Sequence, residues 1–187
     1  YPELPVRIKE AIVDQQCDEV RAYLAEKPEH VEAVSAKKVP LIVYAACYPK
    51  SLAVVLEQKP AINRQDLDGK TALITAVLHE QEDSVVALLA AGAKVNISAP
   101  IKIYQAGHLV TIDDMTPLDL AEYKLRPQCA TVDDIRNEPY LNWPREKPDD
   151  KPKRKMYTMF ERFIIHLETQ EALEGKLERK KDEKGNS

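Results

Sequence analysis

Asp66 to Asn96 reads DLDGKTALITAVLHEQEDSVVALLAAGAKVN, and its pattern recurs along the chain. Shifted back by 32 or 33 residues, it returns: Ser51 to Asn63 (SLAVVLEQKPAIN) matches Ser84 to Asn96 (SVVALLAAGAKVN). Val39-Pro40-Leu41 sits where Thr71-Ala72-Leu73 does. A further step back aligns Asp18 to Val31 (DEVRAYLAEKPEHV), and a step of 45 forward aligns Thr116-Pro117-Leu118-Asp119-Leu120-Ala121. A period of this length marks an array of supersecondary units.

Each unit has a local physical reading. Thr71 and Thr116 suit helix N-caps, and Pro117 suits a first helical turn. A second helix follows with apolar spacing at Val85, Leu88 and Leu89, and Gly92 is its C-terminal stop. Such a helix pair cannot bury both faces alone, so stacking on its neighbours must close the core.

The residues Asp66-x-x-Gly69-x-Thr71-Ala72-Leu73, followed by Val85-x-x-Leu88-Leu89-x-x-Gly92-Ala93-x-Val95-Asn96, resemble an ankyrin repeat. The resemblance covers roughly residues 5 to 125. It implies an all-α solenoid of stacked helix pairs joined by short β-hairpin turns, in about four units: 5–33, 34–65, 66–112 and 113–177. The flanking units are degenerate. Tyr44 stands where a small Ala is usual, and Lys59-Pro60 replaces Gly-Ala. The histidine of the family's Thr-Pro-Leu-His is replaced by Ile42, Ile74 and Asp119, which is expected to remove a hydrogen bond from the loop.

Two insertions depart from the period. The step from Thr71 to Thr116 exceeds a repeat by about 12 residues, assigned to 97–112. Ile101 to Tyr104 and Leu109 to Ile112 are β-rich and flank Gln105-Ala106-Gly107-His108, which predicts a lengthened β-hairpin. Either it is a tolerated loop extension or it grips a partner. Ile101, Ile103, Leu109 and Val110 need burial somewhere. The second insertion, 126–153, holds five prolines and no regular period. Beyond it, Met156, Met159, Phe160, Phe163, Ile164 and Leu167 have helical spacing. Thr116 to Lys124 and Lys155 to Leu173 therefore read as two helices of one split repeat. Trp143 is read as an anchor for the loop between them, and 178–187 as a charged, frayed tail.

Composition bounds the function. The 187 residues carry 27 basic and 31 acidic side chains, a net charge of −4, which disfavours a general nucleic-acid binder. No run approaches 18 apolar residues, so no membrane insertion is expected. Cys17, Cys47 and Cys129 are too few for a disulfide scaffold and are expected as free thiols. The first residue is Tyr1; a trimmed chain and a removed leader both account for it, leaving cytoplasm, periplasm and exterior open, with the cytoplasm favoured.

Chemistry-bearing constellations are sparse. His30, His79, His108 and His166 are scattered, and a metal site needs three or four converging ligands. Cys47 and His79 occupy equivalent places in adjacent units, which is two ligands. Asp113-Asp114 and Asp133-Asp134 read as caps or turns before they read as a catalytic dyad. No nucleophile motif and no phosphate-binding Gly loop appears. We therefore expect no catalytic residues, no metal and no cofactor.

What remains is a binding surface. Residues 111–138 hold seven acids and three bases, a local net of −4 that suits a basic partner. The bland reading is that these acids only solubilise loops. The family resemblance implies contacts at hairpin tips and at the exposed ends of first helices. In the clearest unit these are Leu67, Asp68, Lys70, Leu78 and His79. The preceding unit adds Ser35, Ala36, Lys38, Ala46 and Cys47; the next adds Asp113, Met115, Tyr123 and Lys124; the finger adds Tyr104, Gln105 and His108. Small size, no catalytic set and two bespoke insertions point to a dedicated inhibitor, chaperone or immunity-type protein, monomeric when free. The alternatives are a scaffold or host-directed effector recruiting several partners, and an enzyme or ligand-binding protein built around the second insertion, with Asp133 and Asp134 as its candidate residues.

Overall fold

The turn that opens the quoted stretch is built by one carboxylate. Asp66 Oδ1 accepts from the backbone N–H of Asp68 (2.9 Å) and of Lys70 (2.8 Å), while Gly69 takes φ +80°. Ser35 repeats this geometry one unit earlier: its hydroxyl accepts from Val39 N–H at 3.2 Å, and Lys38 takes φ 59°. Both turns close with the same backbone bond, Ser35 N–H to Val39 O (2.9 Å) and Asp66 N–H to Lys70 O (3.0 Å). Asp114 takes φ 55° at the matching place before Thr116. Each of these turns delivers the chain into a helix.

In the computed structural model, residues 1–105, 108–125, 133, 136 and 162–175 are described. The helices are α1 (Val6–Val13), α2 (Cys17–Glu26), α3 (Leu41–Ala45), α4 (Pro49–Glu57), α5 (Ala72–Leu78), α6 (Glu82–Ala90), α7 (Pro117–Leu125) and α8 (162–175), with a 3-10 turn at Pro28–Glu32. One two-stranded sheet interrupts them, β1 (Ala99–Gln105) and β2 (His108–Met115). The described chain is mainly helical, as expected. Trp143, Cys129, Asp134, the prolines of 126–153, the start of the last helix and the 178–187 tail lie outside the described residues.

Helices pair and the pairs stack. α1 packs on α2, α3 on α4 and α5 on α6. Between pairs, α3 lies against α5 and α5 against α7, while α2 lies against α4 and α4 against α6. The core runs through the stack without a break: Ile12, Leu24, Leu41, Leu52, Leu73, Ile74 and Leu88 are all fully buried. Phe163, Ile164 and Leu167 carry α8 into the same core. Arg162 joins α8 to α6 by a two-toothed bond to Glu82, with Nη2 to Oε2 at 2.6 Å. On the same row of second helices, Arg21 of α2 makes a like pair with Glu57 of α4 at 3.0 and 3.1 Å. Both pairs are solvent-facing, so each contributes little to stability.

The predicted boundaries are present as local chemistry. Thr71 Oγ1 accepts from Ile74 N–H at 3.3 Å and caps α5. Gly92 sits just past α6 with φ +89°. Lys59, which replaces that glycine one unit earlier, is forced to φ 52°. The resemblance implies the loss of a histidine from the last turn, yet that turn is not poorer in hydrogen bonds. Asp119 occupies its place and accepts from Thr116 N–H (2.9 Å) and Oγ1 (2.8 Å), while Thr116 Oγ1 accepts from Asp119 N–H (3.2 Å). This is a reciprocal cap, so the expected loss is corrected here.

Equivalent serines on α4 and α6 differ in one bond. Ser51 is fully buried and donates to the Ile12 carbonyl at 2.8 Å, tying α4 to α1. Ser84 is equally buried, and its hydroxyl has no hydrogen-bond partner. Ser51→Ala is therefore expected to cost about 1 kcal/mol in urea unfolding, whereas Ser84→Ala is neutral or stabilises by up to about 1 kcal/mol. Equal losses at both positions would contradict the assignment of that bond.

Candidate functional site

The first helices and the turns that precede them share one side of the stack, and a groove of about 220 Å³ opens there between α3 and α5. Its walls are Val39, Val43, Tyr44, Cys47 and Tyr48 on one side, and Asp66, Lys70, Thr75, Leu78 and His79 on the other. Four of the residues implied by the resemblance, Cys47, Lys70, Leu78 and His79, therefore come together. The sequence placed Cys47 and His79 at equivalent positions, and stacking α3 against α5 makes both line one groove.

The groove is apolar with compensated edges. Lys70 Nζ lies 3.0 Å from Asp68 Oδ2 and 4.0 Å from Asp66 Oδ2. That ammonium, beside the Lys102 charge, holds the exposed Asp68 carboxyl below its usual range. Lys124 Nζ pairs with Glu80 Oε1 at 3.3 Å. Partial burial, then the Lys124 and Lys70 charges, hold the His79 imidazole below the ordinary histidine value of 6.5, so it is neutral at pH 7. Burial pushes the Cys47 thiol up, so it is not an activated thiolate. Burial, then Tyr48 and Cys47, raise Tyr44. Among the described residues no three His, Cys, Asp or Glu side chains converge as metal ligands. No described helix is long and apolar enough to cross a membrane.

The finger begins beside the turn that leads into α5. β1 and β2 pair antiparallel, with Lys102 opposite Thr111, Ile103 opposite Val110, Tyr104 opposite Leu109 and Gln105 opposite His108. One face packs inward: Ala99, Ile101, Ile112 and Met115 are core residues, and Ile103 and Val110 are partly buried against them. The hairpin is therefore longer than the predicted strands and is seated at its base. Leu109, which was expected to need burial, is 57% exposed. Leu67, at the tip of the Asp66 turn, is 78% exposed. Ala99 and Pro100 approach Gly69 within 4 Å of where a side chain would begin, at 3.8 and 3.9 Å, so the finger starts beside that turn.

Not every implied contact is available. Asp68, His79, His108 and Asp113 are exposed, and Lys70, Leu78 and Lys124 are half-buried. Met115 is fully buried and Tyr123 is 5% exposed, so neither offers its side chain to a partner. Both belong to the core, which corrects the expectation drawn from the resemblance. The cause for Met115 is the φ of 55° at Asp114, which breaks the strand alternation so that Asp113 and Asp114 point out and Met115 points in. Tyr44 and Tyr48, whose rings lie 6.2 Å apart at the groove, were not among the implied contacts. The signal was the bulky Tyr44 at a position where the resemblance implies a small alanine.

In comparisons with known proteins, no family's sequence profile matches the chain and no curated protein is similar to it.

Proposed function

We propose that this chain is an ankyrin-repeat protein that binds one dedicated protein partner, as an inhibitor or immunity-type protein neutralising a toxic effector. The observation that carries the reading is the recurrence of one turn at Ser35–Val39 and Asp66–Lys70, each feeding a helix that lines a shared groove. The helix pairing and the row-on-row packing support the same repeat array. Among the described groove residues the Cys47 thiol is pushed up by burial and is not an activated nucleophile, which favours recognition over chemistry. Exposed Leu67 and Leu109, with exposed Asp68, Asp113 and Asp114 nearby in the same turns and strand, suit a partner with an apolar centre and a basic surround. The chain is monomeric when free in this reading.

The test is affinity capture from the source lysate with matched variants. Leu67→Asp and His79→Ala alter the groove side, whereas Val86→Asp alters an exposed position on α6. One stoichiometric partner is expected, its affinity falling at least about tenfold for the two groove-side variants and unchanged for Val86→Asp. Equal retention by all three, with melting temperatures intact, would place the interface elsewhere and remove the reading.

A further inference from the structure

The two strands of the finger are defended differently against pairing. Each outer edge of a hairpin is a row of backbone N–H and C=O groups that another extended chain can bind. The edge of β1 is blunted. Pro100 has no N–H to offer, Lys102 is exposed, and the strand starts beside the Asp66–Lys70 turn. The edge of β2 has none of these devices: Leu109-Val110-Thr111-Ile112 is a run of strand formers without proline, lysine or glycine. Gln105 and His108 close the hairpin, and the closing pair of a two-residue loop exchanges its hydrogen bonds. Alternation then turns the N–H and C=O of Leu109 and Thr111 to the outer edge. Among the described residues, no backbone group meets them there. The foot of the same edge already holds a cationic donor, because Arg136 Nη2 donates to the Asp114 carbonyl at 3.3 Å. Asp113 and Asp114 are exposed and form no ion pair among the described residues. The Arg136 guanidinium does not compensate them, since it is forked on Asp119 at 3.0 and 2.6 Å. Two negative charges therefore stand open at one end of an open edge, and the 57% exposed Leu109 stands at the other.

We propose that the outer edge of β2 seats an extended segment of the partner protein, added antiparallel as a third strand, with basic residues opposite Asp113 and Asp114 and an apolar residue opposite Leu109. Asp113 and Leu109 are four residues apart and share one face. From its N-terminal end the segment therefore reads basic, x, polar, x, apolar. Its x positions face the stack, beside buried Ile112 and partly buried Val110, where β-branched residues fit best. Backbone bonds to Leu109 and Thr111 supply affinity, and the charges fix direction and register. A second copy of this chain fits the edge less well. Antiparallel pairing of two β2 strands about Thr111 sets Leu109 opposite Asp113 twice, and parallel pairing in register sets Asp113 beside Asp113. The proposal rests on the protein-binding reading above and names what the partner contributes.

The probe is the acetylated and amidated peptide Lys-Lys-Val-Thr-Val-Leu-Thr, titrated into the full ¹⁵N-labelled chain and followed through backbone amides by NMR. It is expected to bind with Kd of about 0.1 mM, shifting the Leu109 and Thr111 amides and leaving α2 and α4 unmoved. The same peptide with Glu-Glu for Lys-Lys is expected to bind at least about tenfold more weakly. So is the peptide N-methylated at its central Thr and its Leu, the residues directly opposite Thr111 and Leu109, by at least about tenfold. Thr111→Pro removes an outward N–H, leaves the bonds to β1, and is expected to abolish peptide binding at an unchanged melting temperature. Asp113→Asn alters only an exposed carboxylate and is expected to weaken the lysine peptide about threefold. Undiminished binding of the N-methylated peptide overturns the proposal, as does silence from every peptide at millimolar concentration. A free chain that sediments as a dimer and is split by Thr111→Pro also overturns it, because a second copy then holds the edge. Capture that survives Thr111→Pro yet is lost with Leu67→Asp and His79→Ala removes the added strand and leaves the protein-binding reading. Capture indifferent to all three variants removes both.

Discussion

Phe163→Ala is expected to cost about 3–5 kcal/mol, the largest loss from any single truncation considered. Phe163 is fully buried and is among the largest such side chains of the described residues. It is one of three residues, with Ile164 and Leu167, through which α8 enters the core. The removed ring leaves a cavity, and the penalty grows with how little of that cavity the surroundings can close. Urea unfolding followed by circular dichroism measures it. A reduced midpoint at constant slope is the expected form, because the whole stack then unfolds as one unit. A loss below about 1 kcal/mol would mean that α8 contributes little to the core. The Arg162–Glu82 pair offers no substitute, because it is solvent-facing.

Asp119→Ala is expected to be the second largest, at about 2–3 kcal/mol. The carboxylate is 5% exposed as a residue and holds four bonds at once. Two run to Thr116 and cap α7; two run to Arg136, with Nε to Oδ1 at 3.0 Å and Nη2 to Oδ2 at 2.6 Å. Losing the cap costs about 1 kcal/mol. The rest comes from leaving the guanidinium without its fork-shaped acceptor, discounted because the Arg136 side chain is 50% exposed. Arg136 also donates to the Asp114 carbonyl at 3.3 Å, so it bridges the end of β2 to the start of α7. Arg136→Ala should cost less, about 1 kcal/mol, because the Thr116 cap survives it. A double-mutant cycle over Asp119 and Arg136 reads the coupling directly. Equal losses for the two single variants would show that the cap contributes nothing.

The helix boundaries were legible because they are written in residues with fixed backbone demands. Thr71 caps, Gly69 and Gly92 take positive φ, and Val85 and Leu88 are core; each of these follows from the local sequence. The last helix was legible from the spacing of Phe163, Ile164 and Leu167, which is also the face it buries. Met115 and Tyr123 were not legible. Met115 depends on a single positive φ at Asp114, a non-glycine residue whose sequence does not announce it. Tyr123 sits on α7, where Leu120, Ala121, Glu122 and Tyr123 are buried in succession, so no amphipathic stripe marks an outer face. The groove itself was half legible. Cys47, Lys70, Leu78 and His79 were implied by the resemblance, whereas Tyr44 on α3 and Tyr48 just before α4 enter it because α3 stacks on α5, a contact between residues about 30 apart in sequence.

The proposed recognition surface is the groove side of the stack. Hydrogen exchange of the full chain, free and with its captured partner, tests this most directly. The predicted result is added protection at 39–48, 66–79 and 99–115, with α2, α4 and α6 unchanged. Protection concentrated on α4, α6 and α8 instead, with the groove side unaltered, would contradict it.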